Sequence, residues 1–514
     1  PIKSNENGAN PSSWTFNIAG NTNIDGIASG STAGNLALNA NNGNVTYTIT
    51  EVGPAGWVLD SVSSPCTKTG DTTATVTLTS SEPDVSCTFT NIQQKGSITI
   101  VKDAQPDSSQ DFAFTTTGTG LSDFSLDDDT DTTLSNTKTF SNLVAGTYTV
   151  TEGTVTSWDL SNLTCTDPTS NSTISGSTAT INLAPGENVT CTYTNTMRGV
   201  IGGYKYEDLD GNISTTGDRV NVPGWTIELW QGTTKIGETT TTETGYSFGD
   251  LTPGNYTLKE VGQNGWFELS PLVDGHGVIN VSLSAGQHTY TNNFINTREA
   301  SVTIYKDVDT DGDGDIDITH STDWFWNKDG SGHYRTGTIM SKLQPGTYTF
   351  SEEQKTGFHV TSLICNNGSA GAPNNYGAVE SQSIAVSSGQ NLVCTFTNTR
   401  DTGTIELKKV WSGTGGQTTL NIGTTSGGTD IANVQTGTNG STPLTTGQQT
   451  VPTSTYYLSE TDGLDNYTKS PLVCFNDANN NGSQDTGESS VTVGTNDSVD
   501  VKKGDHVICS YTNT

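Results

Sequence analysis

TYTVTE, residues 147–152, sets a problem whose answer fixes the fold. Side chains on a β-strand alternate faces with a period of two, so Tyr148, Val150 and Glu152 point the same way. An aromatic and an aliphatic residue in that row mark the buried side, and a carboxylate beside them is out of place. The pattern nevertheless recurs as TYTITE (46–51), NYTLKE (255–260), TYTFSE (347–352) and TYYLSE (455–460), always with the acid in phase. Glu51, Glu152, Glu260, Glu352 and Glu460 are therefore all expected to face a core. One copy falls about every 100 residues, the size of a small domain. The expected units are 1–93, 94–197, 198–298, 299–400 and 401–514.

Each unit reads as all-β. Short Thr-, Val- and Ile-containing runs alternate with Gly, Asn, Asp and Pro-Gly turns, and no long window shows the 3.6-residue period of a helix. Only 30% of the 514 residues are apolar. Cores this thin need staples besides burial. Five immunoglobulin-like β-sandwiches in tandem are expected, joined by links such as NTMRG, NTREAS and NTRDTG that are too short to be flexible tethers. Placed in line, they make a rod of about 170 Å.

A formal net charge of −32 argues against a nucleic-acid partner, which needs a basic face to neutralise phosphates. It favours solubility and divalent cations instead. No apolar run reaches the roughly 18 residues of a membrane span. The chain opens at Pro1 as if processed or cut from a longer precursor.

Eight cysteines fall into four pairs, Cys66 with Cys87, Cys165 with Cys191, Cys365 with Cys394, and Cys474 with Cys509. The second member always comes just before the end of a unit (CTFTN, CTYTN, CTFTN, CSYTN), and none has the close spacing of a zinc or redox site. Four intradomain disulfides are expected, each worth roughly 3–4 kcal/mol by loop closure. They place the chain in an oxidising compartment, outside the cell or at its surface. The third unit has no cysteine.

Two more polar positions share the buried phase. A strand opening each unit carries a lysine: Lys3 in PIK, Lys102 in GSITIVK, Lys205 in GVIGGYK, Lys306 in SVTIYK and Lys409 in GTIELKK. The closing strand ends on an asparagine in phase with an aromatic residue: Asn91, Asn195, Asn296, Asn398 and Asn513. Buried separately, such groups cost several kcal/mol per charge, so they are expected to meet. Burial lowers the lysine pKa and raises that of the glutamate, and the proton then sits on the acid. The neutral amine is a nucleophile, and the asparagine carboxamide carbon is its target, with the glutamate passing protons. The product is a Lys–Asn amide, formed once, with loss of ammonia. A buried Lys–Glu ion pair with Asn as hydrogen-bond partner would produce the same periodicity, and the residues leave both readings open.

With its strand-borne lysine, YTxxE strand and closing asparagine, the chain resembles the B-type repeats of bacterial collagen adhesins and the prealbumin-like domains of Gram-positive pilins. The third unit, GYKYEDLDGN…GDRVNVPGWTIELW, is also similar to the B-like domains of serine-aspartate-repeat surface proteins. The resemblance implies prealbumin-like sandwiches with intramolecular isopeptide bonds, carried over as Lys3–Glu51–Asn91, Lys102–Glu152–Asn195, Lys205–Glu260–Asn296, Lys306–Glu352–Asn398 and Lys409–Glu460–Asn513. Two departures stand out: paired cysteines are not general in those pilins, and the strand of Lys3 is truncated. A neighbouring subunit is expected to complete that sheet edge by strand addition.

Calcium is the one cofactor expected. DANNNGSQDTGE, residues 477–488, places Asp477, Asn479, Asn481, Asp485 and Glu488 at EF-hand-type oxygen spacing with Gly482 at the turn. DVDTDGDGDID (307–317) offers Asp307, Asp309, Asp311, Asp313 and Asp315 but has His320 where a closing acid would fall. DLDGNISTTGD, with Asp208, Asp210, Asn212 and Asp218, is the weakest match. Solvated turns would draw on the same residue types.

Other features read as structural. Trp324 and Trp326 of DWFWN align with Phe112/Phe114 and Trp14/Phe16 on a core-facing strand, leaving Phe325 outside. The six histidines lack ligand spacing, and sequons such as those at Asn162 and Asn188 arise by chance in Thr-rich sequence. No Ser-His-Asp set or phosphate loop can be assembled, so no multiple-turnover enzyme is expected. The sequence points to a self-assembling structural segment of a bacterial or archaeal extracellular fibre, stalk or pilus-like appendage. The alternatives are an adhesin, which calls for one unit with a large insertion, and the spacer domains of a secreted hydrolase.

Overall fold

The computed structural model describes residues 2–5, 14–18, 24–27, 45–79, 81, 85–273, 276–366, 373–463 and 465–514. Among them the regular secondary structure is strand throughout, apart from one 3-10 turn at Thr438–Gly440. Each sheet closes within one of the five units.

Unit 2 shows the plan. Its lysine strand, Gly96–Gln105, and asparagine strand, Asn188–Met197, lie side by side and parallel at the centre of a four-stranded sheet, flanked by Thr137–Leu143 and Trp158–Thr166. Its glutamate strand, Gly146–Glu152, is the middle strand of the facing five-stranded sheet, between Ser108–Thr117 and Thr178–Leu183. Alternation does the rest. The lysine strand buries Ile98, Ile100, Lys102 and Ala104, and the glutamate strand buries Tyr148, Val150 and Glu152. These rows meet across the sandwich together with Phe112, Phe114, Ile181 and Tyr193 in one core. The threonines between them face out, where their hydroxyls pair across strands, as Thr117 with Thr149 and Thr151 with Thr178.

The parallel pairing of first and last strands recurs in the same register. Lys3 lies opposite Phe89, Lys102 opposite Tyr193, Lys205 opposite Phe294, Lys306 opposite Phe396 and Lys409 opposite Tyr511. The backbone of Lys3 is thus placed like the others, while its side chain lies outside the described residues. Four disulfides tie the asparagine strand, or the residue just before it, to its other flank: Cys66–Cys87, Cys165–Cys191, Cys365–Cys394 and Cys474–Cys509. In units 2, 4 and 5 the two cysteines are directly opposed across antiparallel strands.

Unit 3 departs from the plan. Its lysine strand breaks at Tyr204 into Gly199–Gly203 and Lys205–Asp208, which belong to different sheets. A β-carbon on Gly203 would lie 1.9 Å from the carbonyl oxygen of Asn292, so only glycine admits this approach. Asparagine amides replace the missing ladder: Asn292 donates to the Gly202 carbonyl, and Asn293 Oδ1 accepts from the Tyr204 amide. Asn292 stands at the position that holds a cysteine in the other units.

Adjacent units are closely joined. Single residues, Arg198, Glu299 and Asp401, separate the closing strand of one unit from the opening strand of the next. Ser388 of unit 4 reaches back to unit 3, its amide donating to the Leu209 carbonyl and its hydroxyl to Glu207. Asp401 contacts His359 of unit 4 and Lys503 of unit 5 at 2.7 and 2.9 Å.

Candidate cross-link sites

The lysine and glutamate rows meet in units 2 to 5, and the asparagine joins them by a hydrogen bond in units 2 and 4. In unit 2, Lys102 Nζ donates to Asn195 Oδ1 at 2.8 Å and to the Tyr193 carbonyl at 3.0 Å, with Glu152 Oε1 at 3.6 Å. In unit 4, Glu352 bridges the other two: Lys306 Nζ donates to one of its oxygens at 2.7 Å and Asn398 Nδ2 to the other at 2.6 Å. Lys205 lies 2.7 Å from Glu260, and Lys409 lies 2.9 Å from Glu460. In unit 1, Asn91 Nδ2 donates to Glu51 at 2.9 Å. All of these side chains are buried, with Lys306 and Asn398 wholly inaccessible.

Burial governs their protonation. It pulls Lys205 and Lys306 down to about 8, against the opposing pull of Glu260 and Glu352, and lowers Lys102 and Lys409 as well. The same loss of water raises Glu152, Glu260 and Glu352, again against the attraction of their lysines. Both shifts move the proton from amine to acid.

Units 3 and 5 also leave polar atoms unserved. Lys205 Nζ touches Glu260 without being aimed along a hydrogen bond. Neither side-chain atom of Asn296 or Asn513 has a hydrogen-bond partner, while Glu260 and Glu460 are held by their lysines. Such orphans cost about 1–3 kcal/mol each when the groups remain separate.

Sequence reasoning missed an aromatic cap over each amine. Lys102 Nζ lies 4.1 Å from the ring centre of Phe112, and Lys205, Lys306 and Lys409 lie 4.4 Å from those of Trp225, Trp324 and Trp411. A second ring meets each cap edge-on: Trp158 on Phe112, Trp266 on Trp225, Phe358 on Trp324 and Tyr467 on Trp411. In unit 1, Trp57 meets Trp14 in the same way. For the second ring a signal was present, because an aromatic residue follows each glutamate by six or seven positions, in EVGPAGW, EGTVTSW, EVGQNGW, EEQKTGF and ETDGLDNY.

The acidic loops rank differently in space than in sequence. In the 477–488 loop the carboxylates are occupied by the loop itself. Asp477 accepts the Asn481 and Gly482 amides, Asp485 accepts the side chains of Asn479 and Asn481, and Glu488 accepts the Ala478 and Asp485 amides. In unit 4 the converging trio is Asp309, Asp311 and Asp317. Asp307 instead caps the His320 amide, and Asp313 accepts the amide of Asp315. Asp208, Asp210 and Asp218 converge to within 4.8 Å, as does a trio that sequence reading passed over, Asp127, Asp129 and Asp131. Asp208 is fully buried with no hydrogen bond to either oxygen; Arg219 Nε stands 3.5 Å away.

Three related family descriptions, each a prealbumin-like fold domain, match the chain over residues 2–89, over 98–197 together with 308–400, and over 405–514. No curated protein matches in sequence. Among solved structures, the Bacillus anthracis TIE protein is 14% identical over 79% of this chain and 68% of its own, with a TM-score of 0.29. The pilus adhesin SpaC of Lactobacillus rhamnosus GG is 13% identical over 73% and 57%, at 0.26. BcpA, the major pilin subunit of Bacillus cereus, is 12% identical over 62% and 99%, at 0.22. Identities and scores this low speak to neither partners nor activity. The family matches cover well over half of the sequence and fall on units whose first and last strands pair in parallel, so the chain belongs to the prealbumin-like fold domain family.

Proposed function

We propose that the chain is a structural segment of an extracellular, pilus-like fibre whose units are closed by Lys–Asn amides formed autocatalytically. The observation that carries this reading is the meeting of lysine, glutamate and asparagine in a dry core, with protonation shifted toward neutral amine and neutral acid. The amine attacks the carboxamide carbon while the protonated glutamate polarises its oxygen. The Cγ–Nδ2 bond then breaks, protons pass through the glutamate, and ammonia leaves. The amide carries no charge, and Nδ2, an orphan in units 3 and 5, is gone.

The topology suits tension. Force enters at the start of the lysine strand and leaves at the end of the asparagine strand, and because the two strands are parallel it shears their whole ladder at once. An amide across that pair keeps everything between Lys and Asn out of the load path, and the disulfides are a second closure. The adhesin alternative lacks an observation of its own, as does the spacer alternative. Recovery of Lys102 and Asn195 on one branched peptide after digestion, with concentration-dependent filaments by electron microscopy, is the expected result. Separate peptides and single particles at every concentration would refute it.

For the cation, the favoured site is Asp208, Asp210 and Asp218. Three carboxylates and Arg219 leave a net charge of −2, which a calcium ion would neutralise while serving the unbonded oxygens of Asp208.

A further inference from the structure

In units 2, 3 and 4 the ring over the amine comes from the strand that pairs with the glutamate strand. It sits two positions before the residue opposite the glutamate: Phe112 before Phe114, Trp225 before Ile227, Trp324 before Trp326. Unit 5 has Thr418 at that position, before Leu420, and Thr418 is buried. Its ring is Trp411, two positions beyond Lys409 on the lysine strand and opposite Asn513. The corresponding places hold Ala104, Glu207 and Val308 in units 2, 3 and 4, each opposite its own asparagine. Large and small have changed sheets, yet the ring stays 4.4 Å from Nζ, as in units 3 and 4.

We propose that this ring is a positioning residue for amide formation, and that unit 5 retains it by supplying it from the opposite sheet; the proposal rests on the cross-link reading given above. Conserving volume alone would not require a ring face at the amine. A π face is a neighbour that suits both protonation states: it attracts the ammonium and receives an N–H from the neutral amine. It offers no lone pair to retain the proton and admits no water. The edge-on second ring, Tyr467 in unit 5, fixes its plane. The charged groups around Lys409 Nζ are Glu460, at 2.9 Å, and Lys469, which lies over Tyr511 and pairs with Asp497.

The test uses the full chain made by cell-free synthesis and quenched at intervals, with the Lys409–Asn513 branched peptide quantified against those of units 2 and 4 as internal clocks. Trp411→Val should slow unit 5 about tenfold for each whole pKa step by which the wetted lysine regains its basicity, and its rate should climb with pH. Trp411→Val with Thr418→Phe, which combines the Val308 position of unit 4 with the Phe112 position of unit 2, should restore the wild-type rate and pH profile. Cys474–Cys509 pairing reports that unit 5 has folded; if Trp411→Val prevents it, Trp411→Phe is expected to cross-link at the wild-type rate. A folded Trp411→Val at the wild-type rate, or a folded double variant or Trp411→Phe that stays slow, overturns the positioning role alone. Absence of branched peptides from every unit of the wild type removes the cross-link reading with it.

Discussion

Unit 3 offers the sharpest test of closure, because it has no disulfide. Glu260→Gln keeps the shape of the side chain but removes the proton carrier, so Lys205 and Asn296 should stay unjoined. The amide closes 91 residues, and opening a loop of that length forfeits roughly 4.7 kcal/mol of denatured-state restriction. Leaving Lys205 buried without its carboxylate adds about 3 kcal/mol. The sum is comparable to the whole stability of such a domain, about 5–15 kcal/mol, so unit 3 should unfold first under heat and under load. Stretched between its ends in an atomic force microscope, the wild type should give no step from this unit. Glu260→Gln should release 91 residues at roughly 3.4 Å each, about 310 Å less the width of the folded unit. The same change in unit 2, Glu152→Gln, should release less, because Cys165–Cys191 keeps 26 of its 93 residues closed and frees only 67, roughly 230 Å. A 310 Å step in the wild type, or equal steps in the two variants, would refute the reasoning.

Three further outcomes are expected. In Asn296→Ala the Lys205–Glu260 pair persists without an amide: a lysine lowered from 10.5 to about 8 contributes stability present above its unfolded pKa and lost as pH falls through the folded one. The variant should therefore lose about 3 kcal/mol relative to the wild type between pH 10.5 and 7.5, and a parallel pH dependence in urea denaturation would count against the buried pair. Reduction should raise hydrogen exchange in units 1, 2, 4 and 5 and leave unit 3 unchanged, and equal deprotection of all five would contradict the disulfide assignment. Millimolar calcium should protect the 208–219 segment from exchange in the wild type but not in Asp208→Asn; titration calorimetry without heat in the wild type would remove the cation site.

The strand period made most of this legible in sequence. Glu152, Lys102 and Asn195 could be placed in one core because each is in phase with residues too apolar to face water, and Cys165 and Cys191 paired because one cysteine always comes just before the end of a unit. The acidic loops lie outside that logic, because no strand period sets where their carboxylates point. The 477–488 segment has the better calcium spacing, yet its neutral Asn479 and Asn481 satisfy Asp485 themselves. The poorer match places Asp208 at the end of a strand, buried, with Asp210 and Asp218 converging on it. The caps were hidden for a different reason. Phe112 and Trp324 read as ordinary core, and the exchange of Trp411 for an aromatic at 418 breaks the alignment that would have revealed a common role.

The mass of the intact chain, reduced and denatured, tests the central claim most directly. A deficit of one ammonia for every closed unit is predicted, and it should shrink by one in each of Glu152→Gln, Glu260→Gln, Glu352→Gln and Glu460→Gln. A mass equal to the sum of the 514 residues would show that lysine and asparagine only meet, and that no covalent bond closes the units.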